Sequence, residues 1–204
     1  MWLLSGPLVR DYLLHHPEVI AEGLQRLQER QYASVIDANR AEFETPYGGA
    51  WAGAKNGDVV LVEFFDYACG FCRKSNADLD RLLKEDPKLK IVWRDWPILG
   101  PDSEAAAKVS LAAAAAGRFR PYHDALFAAG RPSAAAVAGA EHVAGLVAPA
   151  PPKDADTELA RNYDLARAVG ANGTPTFVIG GKVLRGAVGY DALKAAIAAA
   201  RERG

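Results

Sequence analysis

The spacing of apolar residues changes several times along the chain, and each change marks a different kind of element. Between about residues 7 and 44, Val9, Leu13, Ile20, Leu24 and Leu27 recur at intervals of three, four and seven among charged side chains. That is the period of one helix face. Pro17 follows His15 and His16 and pushes the residue before it out of the helical region, so the pattern predicts a short helix and then a longer one. The stretch TPYGGAWAGAKNGD, residues 45–58, is rich in glycine, has no such period and reads as linker and turns. VVLVEFF, residues 59–65, is almost unbroken apolar sequence with β-branched and aromatic members. It predicts a strand covered on both faces and central in its sheet. Leu79, Leu82 and Leu83 then form a helical stripe that Pro87 closes, and KIVWRDWPI, residues 90–98, predicts a second strand parallel to the first.

From about residue 103 to 170 the texture is alanine-rich, with leucines and aromatics at helical spacing and glycine or proline between segments. A small helical subdomain at about 101–171 is the economical reading. TFVIGGKVLRG, residues 176–186, reads as two short strands joined by Gly180-Gly181, because a two-residue type I′ turn needs positive φ at both positions. A last helix is predicted from about Tyr190 to Arg203, with Leu193 and Ile197 on one face. The order is βαβ, helical insert, then ββα. This is an α/β chain with thioredoxin-fold topology, comprising a helical arm at 1–45 and a domain at 46–204.

Composition narrows the classes of function. Half of the 204 residues are apolar, enough for a sizeable core without disulfide support. The formal net charge is -1 with both signs intermixed, which gives no electrostatic footprint for nucleic acid or an anionic membrane surface. No apolar run reaches the roughly 18 residues that cross a bilayer. The opening MWLLSGPLVR lacks the parts of a secretory signal, so as written the chain is expected to stay in the cytoplasm unless a signal has already been removed.

Both cysteines of the chain stand in FFDYACGFCR, as Cys69 and Cys72 with Gly70 and Phe71 between them. A closed zinc site takes four ligands; there is no second cysteine pair, and His15, His16, His123 and His142 have no ligand spacing. A disulfide across so short a loop stabilises little by loop closure. A soft Cu(I) ion binds two thiolates, so copper handling through Cys69 and Cys72 stays open. The redox reading is the sharpest. Cys69 falls where a strand ends and a helix begins, and the free N–H groups of a helix start favour thiolate. Cys72, one turn further in, lies within reach of the first sulfur. On this reading Cys69 attacks and Cys72 resolves the mixed disulfide. Arg73 and Lys74 either add to the pull on Cys69 or are ordinary solvated charges.

Two other positions bear on the same chemistry. Glu63 lies in the apolar strand, where an unpaired carboxylate is costly. It is either a buried acid with a raised pKa that exchanges a proton with Cys72, or a partner of some lysine. Pro175 stands at the start of a strand, where a trans bond would merely be tolerated. A cis Thr174-Pro175 bond would present the Thr174 backbone to an extended peptide beside Cys69.

With C-G-F-C after VEFFDYA, WPILG after the second strand, and T-P before a Gly-Gly hairpin, the chain resembles the DsbA-like thiol-disulfide oxidoreductases of the bacterial periplasm. The resemblance covers residues 58–204. It implies Cys69 as nucleophile, Cys72 as resolving thiol, Glu63 as buried acid and Pro175 as cis-proline, with Gly70, Phe71, Thr174 and Pro175 beside the substrate. VRDYLLHHPEVIAEGLQRLQERQ, residues 9–31, looks like the helical arm of the ScsC group of thioredoxin-fold disulfide isomerases, the suppressor-of-copper-sensitivity proteins. In that group the arm can mediate oligomerisation and a DsbD-like membrane reductase supplies electrons.

The resemblance therefore implies a periplasmic isomerase acting on cysteine-containing client proteins, with no cofactor, self-associating through the arm, and with its secretory signal absent from this sequence. Threonine before the proline is similar to the isomerases of the family. The pair Gly70-Phe71 lacks the histidine of DsbA, which argues against a strongly oxidising potential. A dithiol oxidase and a Cu(I)-binding copper-tolerance protein are the alternatives. The arm is either a helix packed on its own domain or a self-association helix, because its apolar stripe has no evident partner across the linker.

Overall fold

A computed structural model describes residues 5–147 and 149–203. It opens with helices α1 (Ser5–His15), α2 (Glu18–Ala38) and α3 (Arg40–Glu44), followed by strands β1 (Trp51–Gly53) and β2 (Val59–Phe65). Helix α4 (Gly70–Glu85) and strand β3 (Leu89–Asp95) come next. Four helices form the insert: α5 (Pro101–Ala115), α6 (Phe119–Ala129), α7 (Ala134–Val143) and α8 (Ala155–Ala168). Strands β4 (Thr176–Ile179) and β5 (Lys182–Arg185) and helix α9 (Tyr190–Arg201) close the described chain. The sheet order is β1-β3-β2-β4-β5, with β2 and β3 parallel and the other pairs antiparallel. Gly180 and Gly181, at φ +50° and +86°, make the turn between β4 and β5.

The unbroken apolar run of β2 has a direct cause. Leu61 and Phe65 join the core formed with α4, α6 and α9, whereas Val62 and Phe64 join the core on the opposite face with Ile36, Phe43, Leu165 and Val169. Both faces are covered, so alternation disappears. By the same alternation Glu63 belongs to the face of the sheet that carries both cysteines.

One sequence reading changes. The glycine-rich stretch read as linker contains β1, an edge strand paired with β3. Three residues are too few to display a period, and Gly53 at φ +91° brings the backbone against Leu89, where a Cβ would lie 2.2 Å from its carbonyl oxygen. The end of the arm touches the sheet. Ile36 and Phe43 are buried among sheet residues, and Tyr32 packs with its phenol hydrogen-bonded by Gln28 and its ring under the guanidinium of Arg185. Of the predicted apolar stripe Val9, Ile20, Leu24 and Leu27 are exposed and Leu13 is half-buried, and Leu8, Tyr12 and Leu14 are exposed beside it.

Arg94 on β3 ties these parts together. Its guanidinium donates to the carbonyls of Phe43 (3.1 Å), Thr45 (2.8 Å) and Glu42, to Glu158 Oε1 (3.1 Å) and to Asn162 Oδ1 (2.8 Å). One buried cation thus joins α3, β3 and α8.

Candidate active site

Strand β2 ends at Phe65, and a short turn delivers Cys69 to the N-cap of α4 with extended backbone, φ -82° and ψ 114°. Both cysteines are free and buried. The Cys69 Sγ donates to the Thr174 carbonyl at 3.2 Å, and the Thr174–Pro175 peptide is cis. The loop bearing this peptide is held by Thr176 Oγ1 donating to Gly173 O (2.8 Å) and by Gly186 N donating to Pro175 O (2.8 Å). Of the residues expected beside a substrate, Gly70 and Phe71 are exposed, Thr174 is half-buried and Pro175 is buried. The fold thus brings together Cys69, Cys72 and the Thr174–Pro175 bond, with Cys69 and Thr174 in contact across 105 residues.

The two thiols differ sharply. Cys69 is drawn down to about 5, first by hydrogen bonding from the Cys72 thiol, then by the Thr174 side chain and the backbone N–H groups of Cys72 and Phe71, against the opposing effect of burial. Cys72 moves far in the other direction through burial, its hydrogen bond to Cys69 and the charge of Glu63. Arg73 and Lys74 are exposed, and hydrogen bonds are the leading cause of the low Cys69 value. The expected consequence is that iodoacetamide modifies one thiol only. Its rate rises with pH through a midpoint near 5 and is flat by pH 7, as timed alkylation and mass spectrometry would show; a midpoint above 8 refutes the asymmetry.

Glu63 is completely buried, and among the described residues neither carboxylate oxygen has a hydrogen-bond partner. Burial pushes it up to about 8; Trp93, its register partner on β3, draws it down, while Cys69 adds to the rise. Although the Trp93 indole N–H is the nearby donor acting on this carboxyl, that N–H too is without a geometric hydrogen bond. No lysine pairs with Glu63 among the described residues.

The sign of the linkage follows from a folded pKa above the unfolded one. Stability from this group is complete below about 4.5 and is lost as pH rises through about 8. Glu63→Gln is therefore expected to raise stability at pH 8 by about 1–2 kcal/mol and to flatten the decline between pH 5 and 8. Urea denaturation at several pH values measures both; an unchanged slope removes Glu63 as its source.

Several site-lining residues had no periodic signal in the sequence. Asp66 accepts from Ala68 N (2.8 Å) and Leu99 N (2.9 Å) through its two carboxylate oxygens, and its carbonyl accepts from Cys69 N (3.0 Å). Below it runs a buried polar chain in which Tyr67 donates to Ser110 (3.0 Å) and Ser110 to Asp95 (3.0 Å). The Tyr67 oxygen is then left to accept from His123 Nδ1 at 3.4 Å. The only available hint was a charged or polar residue inside an apolar run, as in FFDYAC.

A low-pKa thiol at a helix start, a buried second thiol and a facing cis-proline peptide on a thioredoxin sheet define a thiol-disulfide oxidoreductase domain. Comparison with known proteins carries this to a family. The model described as DSBA-like thioredoxin domain matches residues 60–198, and the chain belongs to that family. The model described as copper resistance protein ScsC N-terminal domain matches residues 6–33.

Among solved structures, a linker-deletion mutant of Proteus mirabilis ScsC has a TM-score of 0.83 at 25% identity, covering 97% of this chain and 93% of its own. A thioredoxin-like oxidoreductase from Silicibacter pomeroyi has a TM-score of 0.76 at 34% identity, covering 80% and 98%. A periplasmic thioredoxin-like protein from Salmonella enterica serovar Typhimurium has a TM-score of 0.74 at 25% identity, covering 80% and 95%. The curated relatives include the Na(+)/H(+) antiporter NhaA 1 of Salinispora arenicola, 27% identical over 164 residues. The match takes in 72% of this chain but spans only about a quarter (24%) of that relative's length. No helix among the described residues is long and apolar enough to cross a membrane.

Proposed function

We propose that the protein is a periplasmic disulfide isomerase, with Cys69 as nucleophile, Cys72 as resolving thiol and Glu63 as the buried carboxyl group that exchanges a proton with Cys72. The observation that carries this reading is the contrast between the two thiols. The Cys69 thiolate attacks a sulfur of the client disulfide; the client S–S bond breaks and the second client sulfur leaves as thiolate. Cys72 resolves the mixed disulfide only after losing its proton, and burial holds that proton on. The client thiolate thus has time to attack another client disulfide, breaking it and freeing a new client thiolate; that thiolate attacks the client sulfur of the mixed disulfide, the bond to Cys69 breaks, and Cys69, a good leaving group, departs as thiolate. A Cys69 value near 5 lies between the roughly 7 of thioredoxin and 3.5 of DsbA, consistent with an intermediate potential. Recovery of activity from scrambled ribonuclease tests the reading. No recovery at any glutathione poise would sink it, and a potential as high as DsbA's would favour the oxidase.

The periplasmic location draws support from the solved Salmonella relative, which is described as periplasmic. An isomerase needs its dithiol kept reduced, which calls for a reductase partner of the DsbD kind. Self-association draws support from the exposed apolar stripe between Leu8 and Leu27 and from the match of this segment to an ScsC N-terminal domain. Because the chain from Tyr32 onward packs on the domain, removing residues 1–31 is expected to reduce the mass in light scattering to that of a monomer. An unchanged mass refutes the arm's role.

Copper handling is the second reading, supported by the name of the N-terminal family. Among the described residues no group of three His, Cys, Asp or Glu is placed to hold a metal ion, so the two thiolates would have to suffice. Anaerobic Cu(I) titration of Cys69→Ser discriminates: unchanged affinity takes the pair out of copper chemistry.

A further inference from the structure

The loop that follows β3, Trp96–Gly100, is pinned by its backbone at three points. Trp96 N donates to Phe65 O at 2.8 Å, Tyr163 Oη donates to Pro97 O at 2.6 Å, and Leu99 N donates to Asp66 Oδ2 at 2.9 Å. At its tip the Leu99 side chain is 47% exposed, in a loop whose Trp96 and Pro97 are buried. An apolar side chain held rigidly in water contributes nothing to folding there, whereas a fixed loop can offer it to a partner without a further ordering cost.

Asp66 decides where that tip lies. Its carboxylate is 1% exposed and forms no ion pair among the described residues. Burying it is costly, and its two oxygens go to Ala68 N and Leu99 N. Ala68 directly precedes the nucleophile, and the Asp66 carbonyl also accepts from Cys69 N. One carboxylate therefore fixes the offset between the tip and the reacting sulfur. Phe71, 67% exposed, stands two residues beyond Cys69.

We propose that Leu99 is a specificity-determining contact for an apolar side chain adjoining the client's disulfide, and that Asp66 is the positioning residue that holds it beside Cys69. This rests on the thiol-disulfide exchange reading above. The occupant is a client segment, because the tip is joined through Asp66 to the nucleophile's own turn.

The test uses the reduced full chain with two disulfide-bonded peptides of equal length, one with leucine and one with serine beside the cystine, and with glutathione disulfide as a third substrate. The quantity read is the ratio of the leucine-peptide rate to the serine-peptide rate. It is expected to exceed one in the native protein and to fall about fivefold in Leu99→Ser. Asp66→Asn, in which an amide N–H replaces one acceptor, is expected to lower it similarly, and the double variant to go no lower than either single one.

Leu99→Ser changes an exposed side chain, so its result stands whether or not Asp66→Asn folds. Should it not fold, Asp66→Glu displaces both acceptors by one methylene and carries the same expectation. An unchanged ratio in Leu99→Ser overturns the surface. Rates that fall together in the Asp66 variant, at constant ratio, overturn its positioning role in favour of an effect on the thiolate. A native protein inert toward glutathione disulfide would overturn the exchange reading itself.

Discussion

Cys69→Ser is expected to abolish thiol-disulfide exchange, whereas Cys72→Ala keeps the first attack and stops at the mixed disulfide. With a Cys69 pKa near 5, about 99% of the sulfur is thiolate at pH 7, roughly thirtyfold more than a free cysteine offers. A serine hydroxyl at the same place stays protonated and does not attack a disulfide. Cys72 contributes differently. It is the resolving sulfur, and its S–H is also the largest cause of the low Cys69 value. Cys72→Ala should therefore form one stable mixed disulfide per chain with glutathione disulfide, and its alkylation midpoint should move upward from about 5. Intact-mass measurement and the pH profile of alkylation check both halves. A Cys72→Ala protein that turns over, or whose midpoint stays in place, contradicts the assignment.

The largest effect on stability is expected at Arg94. Arg94→Met removes the cation from a buried ion pair and leaves Glu158 without its partner. It also leaves the carbonyls of Phe43, Thr45 and Glu42 without that donor. Breaking a buried pair from one side costs about 3–5 kcal/mol, which for a chain of this size corresponds to a fall in Tm of about 10 °C or more. Burial already lowers the Arg94 pKa to about 10 and raises that of Glu158, so desolvation has consumed part of what the pair gains. Removal of both, Arg94→Met with Glu158→Leu, should consequently recover part of the loss. Urea denaturation measures each variant. A single-variant loss under 1 kcal/mol would show that the guanidinium does not hold α3 to the sheet.

The elements around the cysteines were legible because each has a local signature. VVLVEFF announces a strand buried on both faces, the Leu79-Leu82-Leu83 stripe announces α4, and Gly180-Gly181 announces the last hairpin. Strand β1 was not legible, since Trp51, Ala52 and Gly53 become a strand only through pairing with Val92, Ile91 and Lys90. The end of the arm was hidden for a related reason. Ile36 and Phe43 continue the helical pattern of the arm, but their partners Val62, Phe64 and Val178 lie elsewhere in the chain, and helical period alone does not say which residues a face meets.

The sequence by itself determined the βαβ–insert–ββα order and the placement of both thiols at a strand-to-helix junction, because period, turn chemistry and a C-x-x-C pair are properties of neighbouring residues. Only the tertiary structure decided the electrostatics and the borders of the site. Glu63 lacks a partner because of what is packed around it, Arg94 reaches Glu158 and Asn162 across 64 and 68 residues, and Asp66 meets Leu99 across 33. Burial and the pairing of polar groups depend on which distant segments the fold brings into contact, and no local spacing carries that information.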